Sequence, residues 1–166
     1  MRKQALSMLA AILLCALPAA AEEPPQPAAS APADHGFFSP TELTWGPGPP
    51  SLPAGAKLAV LEGDPTKEGI FTIRISAPAG YKIPPHWHPA FEHVTVISGA
   101  FGLGMGDTFD QAKLKIVPAG GFSYMAPGMR HFAWVEKDTV VQLHGMGPWQ
   151  LYYVNPADDP RSAAKK

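Results

Sequence analysis

Short apolar runs, broken by turn residues at intervals of about ten positions, occupy the chain from Leu58 onward, which is the texture of an all-β sandwich or barrel. Phe71, Ile73 and Ile75 alternate with Thr72, Arg74 and Ser76, predicting a strand with one buried face that Pro78 and Gly80 bring to a stop. Val94 and Val96 keep the same period of two, while His93, Thr95 and Ile97 fall on the opposite face. The glycine-rich Gly102-Leu103-Gly104-Met105-Gly106 is expected to be a flexible hairpin, because no helix opens after it as a nucleotide-binding loop would require. Leu114 and Ile116 alternate with lysines ahead of a turn at 118–121. Phe122 and Tyr124 then begin another strand, and stretches 139–144 and 149–154 supply the closing ones. No segment has a convincing amphipathic helical period and no repeat is visible, so one small barrel is the economical solution, since closure removes exposed sheet edges.

The chain before Leu58 is patterned differently. Arg2 and Lys3 precede an apolar run from Ala5 to Pro18, and Ala19, Ala20 and Ala21 offer a small-residue cleavage site, so residues 1–21 are expected to be a secretory signal peptide. That run falls short of the roughly 20 apolar residues that span a bilayer, which argues against stable membrane insertion. Residues 22–36 are rich in proline and alanine and are expected to form a tether, with His35 a solvated residue at its end. Residues 37–57 carry too many prolines for a central strand and are expected to be an irregular arm that packs onto the barrel through Phe37, Phe38 and Trp45. The barrel itself is expected at 58–156, followed by a frayed polar tail at 157–166.

Composition narrows the function classes. With 46% hydrophobic and 16% charged residues in 166, the chain suits one modest domain, and a net charge of −1 without any lysine or arginine cluster argues against nucleic acid as a partner. The single cysteine, Cys15, lies in the leader after Leu14, where a lipidation signal would place a small residue. The processed chain would hold no thiol, which suits a periplasmic or secreted location and leaves stability to the core and to any bound metal.

The candidate chemistry is concentrated in GYKIPPHWHPAFEHVTVISG, residues 80–99. His86 and His88 are separated by one residue and so project from the same side of an extended strand. Glu92 keeps that parity if the chain stays extended. Pro84, Pro85 and Pro89 exclude a helix, so the ligands would line a sheet. By the same register argument His93 points away from them.

A glycine, five residues, His-x-His, three residues, a glutamate, six residues and a glycine make up the first signature of the cupin superfamily, and this sequence resembles it at every position. Residues 120–131, GGFSYMAPGMRH, resemble the second signature, with Gly128 three residues before His131. Ala126 replaces the usual proline, with Pro127 beside the glycine, and Val135 stands where the family has asparagine. The resemblance covers roughly residues 58–156. It extends to small secreted cupins that share the Gly63-Asp64-Pro65 turn and the tail from Gly147 to Pro160. It implies a single cupin barrel, a double-stranded β-helix or jelly roll, with His86, His88, Glu92 and His131 as ligands of one divalent metal ion. Fe or Mn is favoured by the resemblance, and Zn, Ni or Cu suit the same donors.

Tyr124, Trp134, Gln142, His144 and Tyr152 are candidates to line a substrate pocket, against the plainer reading that strand aromatics are core. Arg130, next to His131, is expected to be exposed. The implied function is a periplasmic metal-dependent cupin acting on a small molecule, by dioxygenation first. A binding cupin without turnover and an isomerase or lyase are the alternatives, and a homodimer stays open.

Overall fold

The computed structural model describes residues 35–163; the leader at 1–21, and the tether at 22–36 apart from its last two residues, lie outside them. Among the described residues, eleven strands form two antiparallel sheets. In chain order they are β1 (Gly46–Pro47), β2 (Lys57–Glu62), β3 (Gly69–Ala77), β4 (Lys82–Trp87), β5 (Glu92–Ser98), β6 (Ala100–Met105), β7 (Lys115–Pro118), β8 (Phe122–Met125), β9 (His131–Trp134), β10 (Thr139–Gly147) and β11 (Tyr152–Tyr153). The six-stranded sheet runs β1-β2-β3-β10-β5-β8 and the five-stranded one β11-β4-β9-β6-β7. One apolar core joins them, with Phe71, Ile73 and Ile75 of β3, Val94 and Val96 of β5, and Val141 and Leu143 of β10 facing inward. This is the small barrel that the alternation predicts, in the jelly-roll form that the cupin resemblance implies.

β10 is the longest-paired strand, laid between β3 and β5, and it fixes the parity of the six-stranded sheet. Thr139, Val141 and Leu143 point in, so Val140, Gln142 and His144 point out. Within the five-stranded sheet, the decisive irregularity is at Pro84 and Pro85. Neither proline can donate to the ladder, and the pairing slips by one residue between Ile83↔Ala133 and His86↔His131. That bulge lets both Ile83 and His86 face the interior and sets His86 directly opposite His131.

Both glycines that bracket the first motif serve the backbone. Gly80 and Gly99 sit at φ +77° and +80°, where side chains are strained. At Gly99 a Cβ would also collide with the hydroxyl of Thr139 and the carbonyl of Asp138. Thr139 is itself buried, its hydroxyl 3.2 Å from the Ala100 N–H and 2.8 Å from the Lys137 carbonyl, so the turn has nowhere to yield.

Three expectations are corrected. Residues 100–105 form a strand inside the five-stranded sheet instead of a flexible hairpin; its glycines admit close neighbours, since a Cβ on Gly104 would overlap the Phe132 ring and one on Gly102 would press on the Trp134 carbonyl. The arm does not pack through Phe37, which is 88% exposed; Leu52 and Ala56 enter the core in its place. The tail is tied down as far as Ala163, where a short helix α1 (Pro160–Ala163) places Arg161 to bond the Leu151 carbonyl at 2.9 Å and the Asp159 carboxylate at 2.8 Å.

Candidate metal centre

β4, β9 and the turn after β4 bring three imidazoles together. One ring nitrogen each from His86, His88 and His131 lies within 4.8 Å of the others, and all three side chains are buried. Glu92, at the start of β5, places Oε2 3.3 Å from His131 Nε2 and 3.6 Å from His88 Nε2. Two inward strands of one sheet and one of the other therefore meet at a single point.

The hydrogen bonds decide which ring nitrogens are free. His86 Nδ1 lies 2.8 Å from the Pro84 carbonyl, His88 Nδ1 2.7 Å from the Gln150 carbonyl and His131 Nδ1 2.9 Å from the Met129 carbonyl. A carbonyl oxygen only accepts, so each Nδ1 carries the hydrogen and donates it. In the neutral imidazole the Nε2 is then a bare lone pair. Three such lone pairs and a carboxylate, all buried, then make a cluster of acceptors that lacks a donor for as long as the rings are neutral. His88 Nε2 has no hydrogen-bond partner at all among the described residues. Buried acceptors in this arrangement need a cation, and backbone carbonyls holding the far nitrogen are the usual support for an imidazole ligand. The residues present thus fit a divalent metal ion: the donor set is mixed nitrogen and oxygen, fixed in tautomer, and preorganised.

Electrostatics agree with that fit. Burial, reinforced by the neighbouring imidazoles of His131 and His88, holds His86 down at about 3 from an ordinary 6.5. Burial also lowers His88, against the pull of Glu92. For Glu92, burial works to raise the carboxyl, but the charge that His88 carries when protonated and a hydrogen bond from a protonated His131 outweigh it and hold the group near 2. Lowered His86 and His88 favour the neutral imidazole and lowered Glu92 the carboxylate anion, the forms that ligate.

These shifts carry a stability consequence. Above pH 6.5 His86 is neutral both folded and unfolded, so its contribution is complete; as pH falls from 6.5 through 3 only the unfolded chain takes the proton, and stability drains away. The lowered Glu92 acts in the same sense, its contribution present above 4.5 and lost as pH falls through 2. With chelator present, the urea midpoint should fall steadily between pH 7 and pH 4. A flat profile over that range, followed with the chain's tryptophan fluorescence, would contradict the buried neutral cluster.

The remaining residues marked by sequence fall into two groups, and Trp134 joins the first although it shares the parity of Phe132 on β9. Trp134, half-buried, lines the interior cavity beside His86 and Glu92. Tyr124, Gln142, His144 and Tyr152 do not line it; His144 instead borders a separate outer groove with Phe91, His93 and Met146. Tyr124 is 65% exposed on β8, opposite His93. Gln142 accepts from Arg74 Nε at 3.1 Å on the outer face, and His144 stacks on His93 there with ring centroids 4.9 Å apart. Tyr152 lies against Trp87, leaving Tyr153 to take the inward position. Arg130 is exposed and bonds Asp107 at 2.5 Å.

The residue that the sequence did not announce is Trp149. It stacks on His88 with centroids 5.0 Å apart and planes 14° apart, and it lines the same cavity. Its only sequence signal is proximity to a proline and a glycine in the run Gly147-Pro148-Trp149.

A two-sheet β-barrel that encloses a histidine cluster able to hold a metal ion defines the cupin class. The chain belongs to the ChrR cupin-like domain family, whose model matches residues 34–150. No protein of curated function matches it in sequence. Among solved structures it is similar to a putative acetylacetone dioxygenase from Methylibium petroleiphilum PM1, at 19% identity over 80% of this chain and 89% of that one, with a TM-score of 0.58. The polyketide cyclase RemF from Streptomyces resistomycificus is alike at 16% identity, 78% and 92% coverage, and a TM-score of 0.58. An RmlC-like cupin from Ralstonia eutropha JMP134 follows at 19%, 80% and 83%, and 0.57. At such identities the likeness speaks for the fold alone.

Proposed function

We propose that the protein is an exported cupin in which His86, His88, Glu92 and His131 together hold one divalent metal ion, Fe or Mn by preference, and that a small molecule reacts beside it with dioxygen. The observation that carries this reading is the buried set of acceptors, three bare Nε2 lone pairs facing a carboxylate. Four protein ligands leave two positions of an octahedral ion for exogenous molecules. When bound, the metal would supply Lewis acidity and, if redox-active, the activation of dioxygen.

The cavity walls favour chemistry that needs little proton transfer from the protein. Apart from His86 and Glu92, the groups lining it are almost all apolar, including Ile75, Val94, Phe101, Leu143 and Leu151. Tyr81 is the other titratable group there, and its hydroxyl is already given to the Pro53 carbonyl at 2.6 Å, with burial raising its pKa. An isomerase or lyase would want a positioned acid or base, so this lining weighs against that class. It is equally compatible with a cupin that binds a metal or small ligand without turnover, which stands as the second reading.

An oxygen electrode separates the two. Full-length protein loaded with Fe(II) should consume dioxygen when given a small oxygenated substrate from a panel that starts with acetylacetone, and consumption should vanish in His131→Ala. Tight binding of panel members with no oxygen uptake would transfer the assignment to the binding reading. Export is tested separately: mass spectrometry of periplasmic extract should find a chain beginning at or near Glu22, whereas an uncleaved leader would remove export from the proposal.

A further inference from the structure

Trp149 Nε1 is buried and has no hydrogen-bond partner among the described residues. A buried indole N–H left unpaired costs free energy, and such groups in folded proteins generally meet an acceptor. Three observations bear on where that acceptor belongs. Trp149 lines the cavity that His86 and Glu92 also line. Its ring is stacked flat on His88 and tilted against Phe71 at 6.3 Å, so its plane is fixed from both sides. Its backbone N–H is spent on the Pro65 carbonyl at 2.6 Å, which anchors the residue and leaves the indole as the free donor.

Charge points to the kind of ligand. Resting on the metal reading above, a divalent cation held by neutral imidazoles and the single Glu92 carboxylate would leave one uncompensated positive charge in an apolar enclosure. Burying an unbalanced charge is costly, so a ligand carrying one negative charge is favoured over a neutral or a dianionic one. We propose that the barrel takes a small monoanionic oxygen ligand, a carboxylate or enolate, beside the metal, and that Trp149 Nε1–H donates to one of its oxygens and so positions it. Trp149 is thereby a specificity-determining residue for this site. The apolar walls accept the ligand's hydrocarbon part and offer nothing to a second charge.

Formate serves as the probe, with Co(II) as a visible reporter at the site. Wild type and Trp149→Phe, which keeps an aromatic ring against His88, are each loaded with Co(II) and titrated with formate while the d–d absorption is followed. Hydrogen bonds to charged acceptors are the strong ones, so formate should bind about tenfold more weakly to Trp149→Phe, with Co(II) affinity within about twofold of wild type. In wild type loaded instead with diamagnetic Zn(II), formate should also shift the Trp149 indole N–H proton resonance downfield, a readout that needs no variant once that peak is assigned. Equal formate affinity in the two Co(II)-loaded proteins, or an indole resonance that does not move while formate binds, would overturn the role of Trp149 and leave the metal site standing. If neither protein takes up Co(II), the metal reading fails and this inference goes with it.

Discussion

Chelation should lower the melting temperature of the metal-loaded protein by about 10 °C. A cation that binds only the folded chain stabilises it by RT ln(1 + [L]/Kd), which is about 2.7 kcal/mol at a hundredfold excess over Kd. In a domain of this size each kcal/mol is worth about 4 °C. Adding back the preferred divalent ion should restore the loss. His88→Ala should melt low from the start and ignore chelator, because its missing imidazole is one of the three that converge. Acid should act on the wild type as chelator does, since protonated imidazoles cannot ligate. Identical melting of wild type and His88→Ala, with and without chelator, would mean the cluster contributes nothing through a cation.

A larger loss is expected where no metal is involved. Phe132 is fully buried, at 0% exposure, on the side of β9 opposite His131 and Ala133. Its ring is covered by Phe109 at a centroid distance of 5.1 Å, and Phe109 is in turn capped by the Lys82 ammonium 3.7 Å from its centroid. The missing side chain of Gly104 makes room for that ring from beneath. Phe132→Ala removes the centre of this outer cluster and should cost about 3–5 kcal/mol, a drop in melting temperature on the order of 15 °C. Because the ring faces away from the histidines, metal stoichiometry should be unchanged. A Phe132→Ala protein that melts within a few degrees of wild type would show that residues 106–113 collapse onto the gap at little cost.

The contrast between these two regions explains what could be read from the chain. The barrel was legible because its buried strands alternate strictly; Phe71, Ile73 and Ile75 announce an inward face that the pairing with β10 confirms. The histidine cluster was legible because its spacing matches a known signature. The physical device behind that spacing, a bulge at two adjacent prolines that sets His86 opposite His131, belongs to the pairing with β9 and is invisible without it. Strand parity also explains the failures. Gln142 and His144 share a face as expected, but only the sheet says that Val141 and Leu143 have claimed the inside. Tyr152 and Tyr153 are chemically alike, and one position of register decides which of them enters the core.

Glycine misled for a related reason. In residues 102–106 it suggested mobility, whereas the fold uses Gly102 and Gly104 as gaps into which the Trp134 backbone and the Phe132 ring fit. Close approach of distant segments cannot be inferred from local composition. Trp149 escaped notice for the same cause, since its stacking on His88 joins positions 61 apart in sequence. Arg161 likewise looked like part of a loose polar end until its bond to the Leu151 carbonyl, a long-range pairing, brought it to the barrel.

The central claim is that three buried imidazoles, each with its Nδ1 held by a backbone carbonyl, and one carboxylate converge because a cation sits among them. Elemental analysis of the purified full-length protein after equilibration with Mn(II) or Fe(II) and removal of free metal tests this most directly. The account predicts about one divalent ion per chain in wild type and a small fraction of that in both His86→Ala and His131→Ala, each of which circular dichroism should show to remain folded. A wild-type protein that retains no more metal than the two variants would contradict it.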